Sequence, residues 1–215
     1  AAGRAHLLYG SLVLGVVAPD KNPTDSDGND VADGTDTSEL WIKLIITRMP
    51  DTVDAFLLHH ITTRLVAEFP PQVERCLEVL GEDDLWWRPH ELSNAVGNLV
   101  LHVAGSNRHF LEHVIGGAPG VRDRDAEFAA RGGPTKADVL KVWTDVTARV
   151  DAVLRALTPE RLVQPTSDRN KSVAEVLLHV THHNAFHIGQ IVWITKLRRP
   201  GTIHELLRPG QAAGR

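Results

Sequence analysis

The strongest constraint on this chain is the long stretch from Val173 to Leu197, where apolar residues recur at spacings of three and four. At about 100° per residue, Val173, Val176, Leu177, Val180, Ile188 and Ile191 fall on one stripe, the pattern of a long amphipathic helix. The same stretch carries His179, His182, His183 and His187. Residues three or four apart on a helix share a face. His187 falls within the apolar stripe and His183 on its flank, while His179 and His182 rotate outward. Two imidazoles one turn apart therefore point toward the protein interior. A buried polar ring has to find partners, and this pair is a metal-ligand geometry in need of a third ligand.

The rest of the composition fits one ordinary globular domain with an appendage. Of the 215 residues, 42% are hydrophobic and 23% charged, enough to build a sizeable core. The net charge of −4 and the lack of a long basic run argue against a nucleic-acid partner. A single cysteine, Cys76, excludes an internal disulfide framework and fits a reducing, cytoplasmic setting. It lies on an apolar helical pattern, so a packed thiol is expected there rather than a nucleophile. No apolar run reaches the roughly 18 residues of a membrane span.

Residues 1–48 differ from the rest of the chain. Leu7 to Ala18 is a short apolar run behind Arg4, similar to part of a signal peptide but too short to span a bilayer. Pro19 to Asp36 is rich in Asp, Gly and Pro and reads as a solvated linker. Its Asp spacing is similar to that of calcium loops, but it lacks a Glu at the spacing an EF-hand needs. Residues 1–48 hold 4 basic and 7 acidic residues, which leaves 19 of 23 and 20 of 27 for a nearly neutral remainder. The expectation is a flexible or misassigned N-terminal extension over 1–48, a natural start at Met49, and one domain over 49–215.

Within that domain the pattern predicts four long helices. The first runs from Thr52 through Leu80, with a kink or short break at Pro70-Pro71 and a stop at Gly81. Trp86-Trp87-Arg88-Pro89 forms an aromatic plug in the next connection. Ser93 or Asn94 is expected to cap a second helix reaching Ile115, with Val96, Leu99, Val100, Val103 and Phe110 facing the core. Thr135 caps a third, whose core face includes Val139, Leu140, Trp143, Val146, Val150, Val153, Leu154 and Leu157. Ser172 and Glu175 make a capping box for the fourth, with one further turn around Ile203 to Leu207. The fold class is all-α, an antiparallel-type four-helix bundle in which the connections after helices two and three are long enough to cross over.

His102 lies beside Leu99 and Val103 on the apolar face of the second helix. Alone it would read as a hydrogen-bonded core histidine; with an inward pair on another helix it becomes a candidate third ligand. Neutral imidazoles suit zinc, nickel and related ions, and three protein ligands leave positions open for water or substrate. His109 and His113, two and three turns further on, are too distant to complete a site at His102 and belong to its surroundings or the surface.

Asn98-Leu99-Val100-Leu101-His102-Val103-Ala104-Gly105, together with His183-x-x-x-His187-Ile188-Gly189-Gln190, resembles the DinB-like (damage-inducible) superfamily of metal-binding four-helix bundles. Trp86-Trp87-Arg88-Pro89, Asn94-x-x-Gly97-Asn98 and Arg122-Asp123-Arg124-Asp125-Ala126-Glu127-Phe128 narrow the likeness to an uncharacterised branch, over about residues 49–199. The resemblance implies a metal held by His102, His183 and His187, with zinc or nickel foremost and manganese or iron also compatible. Relatives include thiol-dependent S-transferases and a mycothiol-dependent isomerase. The implied functions are therefore transfer of a low-molecular-weight thiol, or hydrolysis of a small substrate, in stress or detoxification. The alternative is a non-catalytic metal-binding bundle that senses, stores or docks. Glu127, Asp123 and His182 are the candidates for a general base, against salt bridges or solvated faces. Asn184 and Gln190 are candidates to hydrogen-bond the ligands, and a homodimer is possible by analogy.

Overall fold

The structure, a computed structural model, describes residues 50, 52–167 and 171–203. Met49, the Asp-rich stretch and all but the first residue of the expected C-terminal turn lie outside these residues. Helix α1, Val53–Thr63, starts where Thr52 Oγ1 accepts from the Ala55 N–H at 3.2 Å. The coil then widens to a π-helical segment over Arg64–Glu68 and continues as α2, Phe69–Val79. Pro70 and Pro71 offer no N–H and would crowd the carbonyls one turn earlier. The widened turn just before them takes up that strain, so the expected kink becomes a local change of pitch and the rod continues.

A short helix α3, Glu82–Leu85, leads into the Trp86–Pro89 segment. Helix α4, Val96–Asn107, widens to π-helical geometry over Arg108–Ile115. Its cap differs from expectation. Ala95 precedes the first turn, and the Asn98 carboxamide oxygen accepts from the Ala95 N–H at 3.2 Å. Ser93 is used elsewhere, closing a turn with His90. Helix α5, Arg124–Ala129, is short; α6, Lys136–Arg155, and α7, Val173–Arg198, are the remaining long rods. Thr135 with Asp138 and Ser172 with Glu175 form the capping boxes. Among the described residues there is no strand.

Contacts at the rod ends fix the topology. The α2 end and the α7 end meet where Arg198 and Arg199 converge on buried Asp84, with Arg198 Nε at 2.7 Å. Burial would raise the Asp84 pKa, but hydrogen bonds from Arg198 and the Gly81 backbone, with the charges of Arg198 and Arg199, hold it below its ordinary value. Lys136, at the start of α6, reaches Leu80 O at 2.9 Å, so α6 runs antiparallel to the first rod. Arg149, late in α6, meets Glu112, late in the second rod, at 2.8 Å. Ser167, ahead of α7, donates to Val114 O near the end of that second rod. The order is therefore up, down, down, up. An all-antiparallel bundle would need only short turns. Here the second and third rods are parallel, and the chain between them has to climb back along the outside of the bundle.

That returning segment, residues 116–135, runs along α4 in a series of fixed contacts. His113 Nδ1–H donates to Ala118 O at 2.6 Å, Arg122 reaches His102, Asn98 holds Glu127 O at 2.9 Å and Ala130 O at 3.0 Å, and Trp86 Nε1–H donates to Pro134 O at 3.1 Å. Helix α4 is thus covered by α6, α7 and the crossover, and all its residues except Leu101 are buried. The expected core faces of α4 and α7 are buried, apart from half-exposed Phe110, as are Val139, Trp143, Val146, Val150 and Leu154 of α6. Leu140 is exposed, and Val153 and Leu157, also expected in the core, are half-buried.

Gly97 lies under the aromatic plug: a Cβ there would sit 2.9 Å from Trp86 Cη2. Gly97→Val should lower unfolding free energy in urea by about 1–3 kcal/mol, because the indole and its hydrogen bond to Pro134 must move.

Candidate metal centre

His102 on α4 and His183 and His187 on α7 converge, with one ring nitrogen of each within 4.8 Å of the others. Ring centroids lie 4.9 Å apart for His102–His183, 4.8 Å for His102–His187 and 4.5 Å for His183–His187. The rings are tilted or edge-on to one another, at 59°, 83° and 71°, so they surround a common point instead of stacking. His102 is buried, and His183 and His187 are half-buried.

Two of the three rings are held from behind. Glu127 Oε2 lies 3.0 Å from His102 Nδ1, and Arg122 grips both oxygens of that carboxylate, Nε to Oε1 at 2.9 Å and Nη2 to Oε2 at 2.7 Å. Arg122 Nη2 is also 3.0 Å from His102 Nδ1. The nitrogen cannot both donate to Glu127 and accept from Arg122. Burial would raise the Glu127 pKa, yet the hydrogen bonds and charges of Arg122 and His102 hold it below the ordinary value. Glu127 is therefore an acceptor-only carboxylate, Nδ1 carries the proton, and Nε2 of His102 is left bare. His187 is fixed the same way by Gln190 Oε1, 2.8 Å from its Nδ1.

The third ring shows what the cluster lacks. His102 Nε2 and His183 Nε2 are 3.0 Å apart, a distance two neutral imidazoles hold only by sharing a proton. With Nε2 of His102 bare, that proton sits on Nε2 of His183. His183 Nδ1 and Asn184 Oδ1 are then buried without a hydrogen-bond partner. A cation at the common point would take the Nε2 lone pairs, move the His183 proton to Nδ1 and give it the adjacent Asn184 carboxamide as acceptor. The donor set and the orphaned atoms fit a divalent transition metal.

The other sequence candidates lie around or away from this centre. Asp123 caps α5, its Oδ1 accepting from the Ala126 N–H at 2.9 Å, and is exposed. His182 is exposed, and neither belongs to the three-histidine cluster. Glu127 is at the site, but its oxygens are occupied by His102 and Arg122. His109 and His113 line a separate recess with Arg108, Glu112 and Arg122. Sequence reasoning missed Gly105. A Cβ there would fall 2.0 Å from Glu127 Oε1, so only glycine, one turn below His102, admits the carboxylate. It also missed that Arg88, bonded to Asn98 and to Ala130 O at 2.7 Å, ties the aromatic plug to the crossover.

With this geometry in view, comparison with known proteins gives a match to the DinB superfamily model over residues 67–191, more than half the chain. The chain belongs to the DinB superfamily. A DinB-like protein of known crystal structure, YjoA from Bacillus subtilis, shares 19% sequence identity; the alignment covers 65% of this chain and 92% of YjoA, with a TM-score of 0.51. At that identity the likeness shows the fold alone, and it is the DinB-like bundle. No curated protein matches the chain.

The support behind the rings can be tested by removing it. Glu127→Ala, and equally Gly105→Ala, should weaken zinc binding about 10- to 100-fold in competition titrations, the usual cost of losing the group that orients a ligand. A further expectation involves protons. Burial, then the neighbouring His187 and His102, push His183 from 6.5 down to about 4, and burial also lowers His187. The unfolded chain binds more protons between those values, so stability of the metal-free protein is fully present above about pH 6.5 and declines as pH falls toward about 4. Thermal melts of metal-free protein should show that decline, and His183→Gln should flatten it.

Proposed function

We propose that this DinB-superfamily chain is a metal-dependent enzyme. His102, His183 and His187 hold a divalent transition ion, zinc or nickel foremost with manganese or iron compatible, for transfer of a small thiol or hydrolysis of a small substrate. The observation that supports it best is the division of labour among the side chains. Three ring nitrogens converge, while the carboxylate in contact with them faces the back of His102 and is neutralised by Arg122. The protein thus offers three ligands, which would leave further coordination positions of a bound ion for a small molecule. A bound divalent ion supplies acidity, lowering the pKa of a coordinated thiol or water toward neutrality.

The chain's own residues do the rest. Glu127 and Gln190 fix the ring tautomers, so no reorientation is needed when a ligand arrives. Phe128 packs on His102 at 4.3 Å and Phe186 on His187 at 5.2 Å, giving the mouth two aromatic walls. Phe186 is 59% exposed and His183 and His187 are half-buried, so the cluster lies toward the surface and not deep in the core. That opening favours an enzyme over a closed store or sensor. Cys76 does not compete as a nucleophile: burial pushes its thiol up to about 11. Among the described residues no helix is long and apolar enough to cross a membrane. A role in cytoplasmic stress or detoxification chemistry belongs to the same proposal.

Metal analysis of purified protein, combined with a thiol-transfer assay on a model electrophile, tests the reading. His102→Ala and His187→Ala should each cut zinc affinity at least about tenfold and abolish metal-stimulated turnover. Full metal content in both variants would place the ion elsewhere.

A further inference from the structure

The charges around the cluster do not balance once a divalent ion is present. Glu127, the carboxylate in contact with the cluster, is neutralised by its two-point pairing with Arg122, and the Nδ1 of His187 meets the uncharged Gln190. Arg124 adds another positive group. Its guanidinium lies over the Phe128 ring, 4.9 Å from the centroid, and the same ring packs on His102 at 4.3 Å. The three groups form a layered stack running from solvent to the ligand. Among the described residues no carboxylate hydrogen-bonds His187, whose Nδ1 meets Gln190. The acids on the same helix are directed elsewhere. Asp123 caps the backbone of Ala126, and Asp125, two residues before Glu127, stands about 200° around the helix from it and is exposed.

From this arrangement we infer that Arg124 is a specificity residue that selects small ligands bearing a carboxylate or similar anionic group. Such a ligand places its donor atom at the three-histidine centre and its anion against the Arg124 guanidinium. The inference rests on the metal-centre reading above and deepens it. The aromatic ring under Arg124 holds the guanidinium one ring away from His102, and among the described residues no hydrogen bond uses its donors, which remain available to a carboxylate. An ammonium-bearing ligand would meet like charge from both the ion and Arg124.

The test uses the cobalt(II)-loaded full chain and three thiols of matched length: 3-mercaptopropionate, 2-mercaptoethanol and cysteamine. Binding is read from the thiolate-to-cobalt absorption band. The wild type should bind mercaptopropionate most tightly and cysteamine least. In Arg124→Gln the preference for mercaptopropionate over mercaptoethanol should fall about three- to fivefold, the scale of a partly exposed charge pair. Comparing the ratio between the two proteins cancels the different acidities of the thiols. Arg124→Lys should restore most of the preference, and added salt should erode it in the wild type. Cobalt content should be unchanged in both variants. Cobalt binding with an undiminished preference in Arg124→Gln overturns this inference alone. Failure of the wild type to bind cobalt overturns the metal-centre reading and the inference with it.

Discussion

The 3.0 Å hydrogen bond between His102 Nδ1 and Glu127 joins the middle of the most buried helix to the segment that crosses over it. Two requirements meet in this bond. The up-down-down-up order forces residues 116–135 to return along α4, and the histidine on α4 needs a group to fix its proton. The crossover satisfies both. Gly105 gives the carboxylate room, Arg122 neutralises it, and Asn98 and Arg88 hold the backbone that carries it. Burial of Glu127 alone would favour its protonated form. Its depressed pKa shows that pairing outweighs desolvation here, and this leaves Nε2 of His102 bare.

The balance is reversed at His183 and His187. Among the described residues no carboxylate holds these rings, so burial and mutual repulsion prevail and both are kept neutral. The result is three imidazoles that could hold a metal ion, with two buried atoms beside them, His183 Nδ1 and Asn184 Oδ1, left without a hydrogen-bond partner. A buried unpaired polar atom costs roughly 1–3 kcal/mol. That cost is the free energy that binding at the cluster can recover, which ties folding to occupancy of the site.

Much of this was legible in the sequence because it is local. Helical phase separates His183 and His187 from His179 and His182, and the cap at Thr135 and the capping box at Ser172 stand as read. Gln190, one turn from His187, is a partner that short-range spacing can find. The direction of the third rod was not legible, since the amphipathic pattern of α6 is the same whichever way it runs. The roles of Glu127, Gly105, Arg88 and Asn98 depend on that direction, and each is a contact between segments far apart in the chain. The motif residues Trp86–Pro89, Gly97–Asn98 and Arg122–Phe128 marked a family likeness in the sequence. In three dimensions they form one network that presses the crossover onto His102.

The crossover carboxylate sets the His102 tautomer so that the Nε2 atoms of the cluster face one point. Long-range proton–nitrogen NMR of the imidazoles, recorded before and after adding one equivalent of zinc, reads this directly. His102 and His187 should be protonated at Nδ1 in both states, while His183 should change from Nε2–H to Nδ1–H on zinc binding. His102 protonated at Nε2 in the metal-free protein, or zinc binding that leaves the His183 tautomer unchanged, would contradict the account.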